Sequence, residues 1–337
     1  MRGFMLEAPG RVRLCEIPQP QCGPGRVLVR PRAVGICGSD IHAYHGLQPS
    51  MVYPSALGHE IAGEVAEIGE GVRKVKVGDH VVLDPAISCG TCRTCLAGKP
   101  NVCEHLKVLG VHVNGGFADY VAVNEEQVFV IPDSIPFWIA AFAEPLSIGA
   151  QANFRARTCA RDFVLILGAG PIGLATLAVA KDRGARVAIV DSVPRRLEVA
   201  QQMGADLTLD LMKDDVREAV LGATSGAGAD VSIDAVGSQP AIDQAIEAVK
   251  IGGRAVVLGL SPADVGARCL PILKKELDVY GSRMSNHQFE HVVDLMAEGR
   301  VDPSPAITHR ISFDQVAAAF ELAESKNVDA IKIVVTF

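Results

Sequence analysis

Apolar residues recur along this chain in two different rhythms. Through the first part they come in short runs, Val27-Leu28-Val29, Ile61 to Ile68 and Val81-Val82-Leu83, cut by glycine and proline at close intervals. Short strands broken by tight turns predict a compact β-rich barrel. Pro18, Pro20, Gly23, Pro24 and Gly25 make an early break, and Val77-Gly78-Asp79-His80 reads as another turn. Further along, the runs lengthen and alternate with helical spacing. Phe163 to Leu167 reads as a continuous buried strand, followed by a glycine turn and a helix reaching Lys181. A second strand is predicted over Arg186 to Val190, then a helix over Arg195 to Met203 that Gly204 stops. Val231 to Ala235 and Arg254 to Gly259 read as further strands, with a helix from Ala241 to Val249 between them. Such alternation predicts a parallel sheet with helices on both faces. The tail closes with a strand near Ile307 to Ile311, a helix near Asp314 to Ser325 and a strand over Ala330 to Phe337, predicted to rejoin the first part.

Composition narrows the function. A chain of 337 residues, 49% hydrophobic and with 33 glycines, suits a two-domain soluble α/β protein. Its net charge of −7 argues against a nucleic-acid partner, and no basic amphipathic helix suggests a membrane surface. Arg2 is followed by Glu7, Pro9 and Gly10 before any apolar run, which is not the pattern of a signal peptide. Phe163 to Ala180 carries no charge over 18 residues, the length of a membrane span, but Gly168, Gly170, Pro171 and Gly173 divide it into strand and helix start. A small-molecule substrate and a cytoplasmic location are the expectation.

Four of nine cysteines crowd together: Cys89, Cys92, Cys95 and Cys103 follow C-x2-C-x2-C-x7-C. In an intracellular chain that density points to a metal, and four thiolates make a closed tetrahedral zinc shell with no position left for substrate. An iron–sulfur cluster is the rival reading of the same residues. A second pair lies in glycine-flanked loops of the β-rich part, Cys37 before Gly38 and His59 after Gly58. Thiolate and imidazole suit a catalytic zinc that takes a third protein ligand and keeps one position open. Glu60 and Glu144 are the candidates for that ligand. Glu144 stands in the otherwise apolar run Ala140 to Leu146, where an unpaired carboxylate is costly.

Gly168-Ala169-Gly170-Pro171-Ile172-Gly173 fits G-x-G-x-x-G between a strand and a helix, the context that makes the motif a dinucleotide fingerprint. The glycines admit a pyrophosphate to a helix N-terminus. Asp191 ends the next strand, where an acid bonds the adenosine ribose and disfavours a 2′-phosphate, so NAD is expected over NADP. Arg195 and Arg196 weigh on the other side.

These residues, in this order, resemble the zinc-containing medium-chain alcohol dehydrogenase family along essentially the whole chain. Gly115-Gly116-Phe117-Ala118-Asp119-Tyr120 is a further family landmark. The resemblance implies a GroES-like catalytic domain over 1–145 holding both zinc sites, a Rossmann domain over 146–282, and a segment 283–337 returning to the first. Cys37-Gly38-Ser39-Asp40 and Glu144-Pro145 are similar to the polyol and threonine dehydrogenase branch. The runs Gly98 to Cys103 and Val108 to His112 are similar to bacterial sugar-acid dehydrogenases acting on L-galactonate or L-gulonate at carbon 5.

By that resemblance Cys37 and His59 bind the catalytic zinc with Glu60 or Glu144. Ser39 takes the proton of the alcohol and His42 passes it outward. Ile172, Asp191 and Arg196 contact NAD, and Gly259-Leu260 lies near the nicotinamide half. A sugar acid calls for a bidentate cation, for which Arg283 is the candidate, with Asn286 for a hydroxyl. The alternatives are a polyol or L-threonine substrate, or a non-catalytic NAD sensor. A homodimer or homotetramer is expected, pairing through an apolar strand over Leu277 to Tyr280.

Overall fold

The computed structural model describes residues 1–260, 264–325 and 329–337. The chain forms two compact units, Met1–Glu144 with Ser285–Gly299 and Ile307–Phe337, and Pro145–Met284 with Arg300–Ala306.

The first unit is built on a seven-stranded sheet. Arg26–Gly35 is its central strand, buried along most of its length because Val27, Leu28, Val29, Ala33 and Val34 serve both faces. It pairs antiparallel with Glu60–Ile68 on one side and with Lys332–Thr336 on the other. His80–Leu83 and Val128–Val130 extend the first side, Ile307–Ser312 extends the second, and Val121–Asn124 pairs with the opening half of the central strand. Val27, Val29, Ile61, Val65, Val81, Phe117, Phe320, Ile333 and Val335 form one continuous core. The helix Val316–Glu324 closes it, with Phe320 set edge-on to Phe117. Smaller sheets join Arg2–Ala8 to Arg11–Glu16 and Ser55–Ala56, and Ala86–Ile87 to Lys107–Val108.

The second unit is a six-stranded parallel sheet. In spatial order its strands are Leu207–Asp210, Arg186–Asp191, Phe163–Leu167, Ala229–Asp234, Val249–Val257 and Asp278–Gly281. Numbered along the chain, that order is the doubly wound one, with the reversal beside Phe163–Leu167, where such sheets bind nucleotides. Crossovers run through Pro171–Asp182, Pro194–Gln202, Val216–Ala223, Gln239–Ala248 and Cys269–Lys275. The uncharged stretch from Phe163 divides at Gly168, and among the described residues no helix is long and apolar enough to cross a membrane.

The structure departs from the sequence reading in several places. Arg300–Ala306, expected in the returning segment 283–337, belongs to the second unit. Arg300 ties it there, its guanidinium forking onto Asp182 with two bonds of 2.9 Å. The edge strand spans Asp278–Gly281, shifted one residue along from the expected Leu277 to Tyr280. Leu207–Asp210, Val216–Ala223, Cys269–Lys275 and the long helix Ala143–Ala156 lie outside the elements that the apolar pattern predicts. Of these, Val216–Ala223 carries a readable start signal: Asp215 accepts a 3.0 Å bond from the Glu218 N–H as its cap.

The turn between Phe163–Leu167 and its helix depends on close backbone approach. A methyl group on Gly173 would lie 1.8 Å from the Gly168 carbonyl oxygen. Gly173→Ala is expected to push the helix off the sheet, destabilising the unit by about 1–3 kcal/mol. A melting temperature equal to that of the parent would show that the turn yields without strain.

Candidate active site

Cys37 stands where the central strand gives way to the short helix Gly38–Tyr44. Its N–H donates to Asp40 Oδ2 at 2.9 Å, so the side chain three residues on fixes the turn that presents the thiol. Asp40 is almost wholly buried, and its other oxygen accepts from Gly58 N–H at 3.3 Å and stands 3.7 Å from His59 Nδ1. One carboxylate therefore ties the Cys37 loop to the His59 loop. The second loop is fastened by Gly115 N–H to Ala56 carbonyl and Gly116 N–H to Gly58 carbonyl, both 2.7 Å. The result is that the Cys37 sulfur, a His59 ring nitrogen and a Glu60 oxygen all lie within 4.8 Å of one another.

Glu60 begins its strand directly after His59 and is 1% exposed. Its carboxylate is gripped by Lys332, whose Nζ donates to its two oxygens at 2.6 and 2.8 Å and to the Ile36 carbonyl at 2.9 Å. Burial disfavours the Lys332 charge, but Glu60 and Cys37 outweigh it and raise its pKa. Glu144, also buried, sits in the first turn of Ala143–Ala156, and burial pushes its carboxyl up to about 7 against the attraction of His59. Burial works against the His59 charge too, yet Asp40 and Cys37 leave its pKa well above the ordinary value. An anionic cluster that drives a buried imidazole to hold a proton has the chemistry to hold a dication instead. His59 Nδ1, buried without a hydrogen bond, has Asp40 behind it as metal-binding imidazoles do. Cys37, His59 and a glutamate thus fit zinc.

Ser39 and His42, both half-buried, share the helix Gly38–Tyr44 three residues apart and so point to one side. Asp40 and Lys332 carry no role in the sequence reading. Each leaves a trace there: the acid three residues after Cys37 is a capping spacing, and Lys332 is a lone charge between Ile331 and Ile333.

The cysteine quartet is assembled elsewhere in the same unit. Cys92 Sγ lies 3.4 Å from Cys95 Sγ and 3.7 Å from Cys103 Sγ, and Cys103 Sγ lies 3.5 Å from Cys89 Sγ. A tetrahedron with metal–sulfur bonds of about 2.3 Å has edges of about 3.8 Å, so the sulfurs fit one ion. The N–H groups of Cys89, Cys92 and His105 each point at a quartet sulfur at 3.3 Å, which favours thiolate. Thr94 chiefly holds Cys92 down at about 5, while desolvation and neighbouring sulfurs push Cys95 up to about 12. Asn286, a candidate for a substrate hydroxyl, instead donates its amide N–H to the Gly98 carbonyl of this loop at 3.2 Å.

In the second unit Gly170 caps the helix that Pro171 and Ile172 open, with Gly168 in the left-handed region at φ 93°. Asp191 accepts from the N–H groups of Ala169, at 2.8 Å, and Val193, at 2.9 Å, and so ties the glycine turn to the end of its own strand. Arg196 stands 3.5 Å from the Asp191 carboxylate, which draws this cation back onto the acid. Gly259 packs against Val236 and Gly237, while Leu260 is 78% exposed. Arg283 is exposed beyond the strand Asp278–Gly281.

Comparison with known proteins agrees with this architecture. Residues 23–133 match the alcohol dehydrogenase GroES-like domain, and residues 171–298 match the zinc-binding dehydrogenase domain. The chain is 38% identical to L-galactonate-5-dehydrogenase of Escherichia coli, over 96% of this chain and 94% of that one. It is 33% identical to sorbitol dehydrogenase of Bacillus subtilis, over 99% and 97%. It is 38% identical to L-threonine 3-dehydrogenase of Pyrococcus horikoshii, over 96% and 95%. Among solved structures, an alcohol dehydrogenase of Escherichia coli complexed with NADH superimposes with a TM-score of 0.94 at 34% identity, covering 100% of this chain and 99% of that one. A zinc-binding dehydrogenase of Sinorhizobium meliloti bound to NADP gives 0.94 at 35%, with the same coverage. With both domains matched and full-length relatives well above 30% identity, the chain belongs to the zinc-containing medium-chain alcohol dehydrogenase family, as a nicotinamide-dependent oxidoreductase.

Proposed function

We propose that this protein oxidises the carbon-5 hydroxyl of a sugar acid, L-galactonate or L-gulonate, with NAD as acceptor and two zinc ions per chain. The observation that carries the reaction class is the convergence of the half-buried Cys37 with the buried His59 and Glu60, backed by Asp40. The sugar-acid reading rests on the likeness to L-galactonate-5-dehydrogenase. Among the chain's own cations, Arg283 is the one we assign to the substrate carboxylate.

When bound, zinc supplies a Lewis acid that lowers the pKa of a secondary alcohol, and the nicotinamide supplies the hydride acceptor. The protein supplies position and proton handling. Asp40 stands behind His59 Nδ1, which leaves Nε2 as the nitrogen for the metal. Ser39 Oγ accepts the alcohol proton, and His42 on the same side of the helix passes it outward. Gly168, Gly170 and Gly173 admit the pyrophosphate to the helix start, with Pro171 and Ile172 in its first turn. The Asp191 carboxylate, which repels a 2′-phosphate, favours NAD, and the pairing of Arg196 with that carboxylate supports this preference. The quartet sulfurs hold the second, structural zinc.

Self-association is assigned to the edge strand Asp278–Gly281 and the adjoining helix Cys269–Lys275, which expose Val279, Leu270 and Leu273. A homodimer or homotetramer is expected by light scattering, and a monomer at micromolar concentration removes this surface from consideration.

Two further measurements bear on the chemistry. Cys37→Ser should carry one zinc instead of two and show no turnover, whereas a variant with both zincs would overturn the catalytic site. Rates on L-galactonate, L-gulonate, D-sorbitol, galactitol and L-threonine, each with NAD and NADP, test the substrate. Activity confined to the hexonates with NAD is the expected result. Activity on polyols or threonine would keep the mechanism and cancel the sugar acid, and a preference for NADP would cancel the role given to Asp191.

A further inference from the structure

The second unit carries a cleft at the end of its sheet that the glycine turn does not occupy. The cleft lies where the strands Ala229–Asp234 and Val249–Val257 begin, whereas the glycine turn follows the far end of Phe163–Leu167. A strand of six residues sets the two ends about 17 Å apart. One wall is the helix Val216–Ala223, another is the helix Cys269–Lys275, and the turn Gly226-Ala227-Gly228 completes the lining. Thr224 closes that turn by accepting the Gly228 N–H at 2.9 Å. The cavity has a volume of about 470 Å³, enough for a small organic molecule.

Its charges are unbalanced. Arg217, Lys250, Lys274 and Lys275 line it against a single acid, Glu247. Glu247 is taken by Arg268, and Lys250 by Asp230. Arg217 meets its neighbour Glu218 at 3.3 Å, but the two side chains are 63% and 67% exposed, so water screens that attraction. Lys274 has no carboxylate partner among the described residues. Lys275 donates to the Glu247 and Val249 carbonyls at 2.7 and 2.9 Å, which are neutral groups at a helix end. Burial lowers the Lys275 pKa; Glu247 opposes that, and Arg217 is near enough to add repulsion. Capping a helix end accounts for Lys275, but not for Lys274 beside it or for Arg217 on the other wall. A chain of net charge −7 has acids to spare, yet none but Glu247 lines this cleft. Leu221, Ile251 and Leu270 line the same cavity. A fitting ligand therefore has a dianionic head for the cations and an apolar body for these side chains.

We propose that this cleft binds a phosphorylated small molecule, with its phosphate against Arg217, Lys274 and Lys275 and its organic part against Leu221 and Leu270. The planar fork of an arginine suits two phosphate oxygens, while each lysine serves as a point charge. A bound dianion also offsets the repulsion between Arg217 and Lys275. The site is separate from the zinc and nucleotide sites, and it does not depend on the metal or substrate assigned above.

Isothermal titration of the zinc-loaded protein, saturated with NADH and at low ionic strength, tests this with phenyl phosphate and inorganic phosphate as probes. Phenyl phosphate is expected to bind with a Kd below about 1 mM. Inorganic phosphate, which lacks the ring, should bind about fivefold more weakly. Arg217→Gln and Lys274→Gln lie on different helices, and each should weaken phenyl phosphate by about tenfold. Arg217 also lies outside the helix assigned to self-association, so its variant reports on the cleft alone. Neither substitution should alter the affinity for NADH. Absence of saturable binding to the parent overturns the proposal, as does binding that either variant leaves unchanged. Equal affinity for the two probes overturns it too, as does phenyl phosphate that NADH displaces, since the phosphate would then lie in the nucleotide crevice.

Discussion

Buried negative charge around Cys37 is the constraint to which the rest of the first unit answers. Asp40, Glu60 and Glu144 are all withdrawn from water beside a thiol, and the permanent cation among them is Lys332. Isolated carboxylates in such a place would neutralise themselves or unfold the protein. Each is instead given a specific answer: backbone N–H groups and His59 for Asp40, an ammonium for Glu60, and a helix start near His59 for Glu144. Much of the local architecture follows from supplying those partners. The strand Lys332–Thr336 must lie beside the central one to deliver Lys332, and the central strand must carry glycine at position 35 to leave room for the pair.

The second unit answers a different constraint, that of bringing a backbone turn close to a diphosphate. Here the sheet does the work by order alone. Its reversal beside Phe163–Leu167 opens the crevice, and the glycine turn fills the corner where strand passes into helix. Asp191 serves both sides of that corner, because the same carboxylate that would meet a ribose also fastens the turn through Ala169. Its replacement would loosen the loop that it fastens.

What the sequence discloses, and what it withholds, divides along sequence distance. The quartet, the glycine turn and the Cys37 and His59 loops are legible because each is a local pattern whose spacing carries its chemistry. The parallel sheet is legible in its long apolar strands, though Leu207–Asp210, where Leu207 and Leu209 alternate with Thr208 and Asp210, makes no such run. Lys332 escapes assignment, since its partner lies 272 residues away and no spacing rule links such a lysine to Glu60. The bond of Asn286 to the Gly98 carbonyl is hidden for the same reason, since the two lie 188 residues apart. Arg300–Ala306 belongs to the other unit, to which Arg300 is tied by its fork onto Asp182, a contact invisible to periodicity.

The position of Lys332 also sets an order of events during synthesis. Cys37, His59, Glu60 and Glu144 leave the ribosome early, and the whole of Pro145–Met284 follows before the strand Lys332–Thr336 exists. A nascent chain therefore carries its future metal site as an open sheet edge with an uncompensated acid, while the nucleotide-binding unit is free to fold as a body. Glu60 gains its buried counter-charge only when that strand has emerged. A chain broken off before Lys332 lacks both the cation that Glu60 pairs with and the strand that flanks the centre of the sheet.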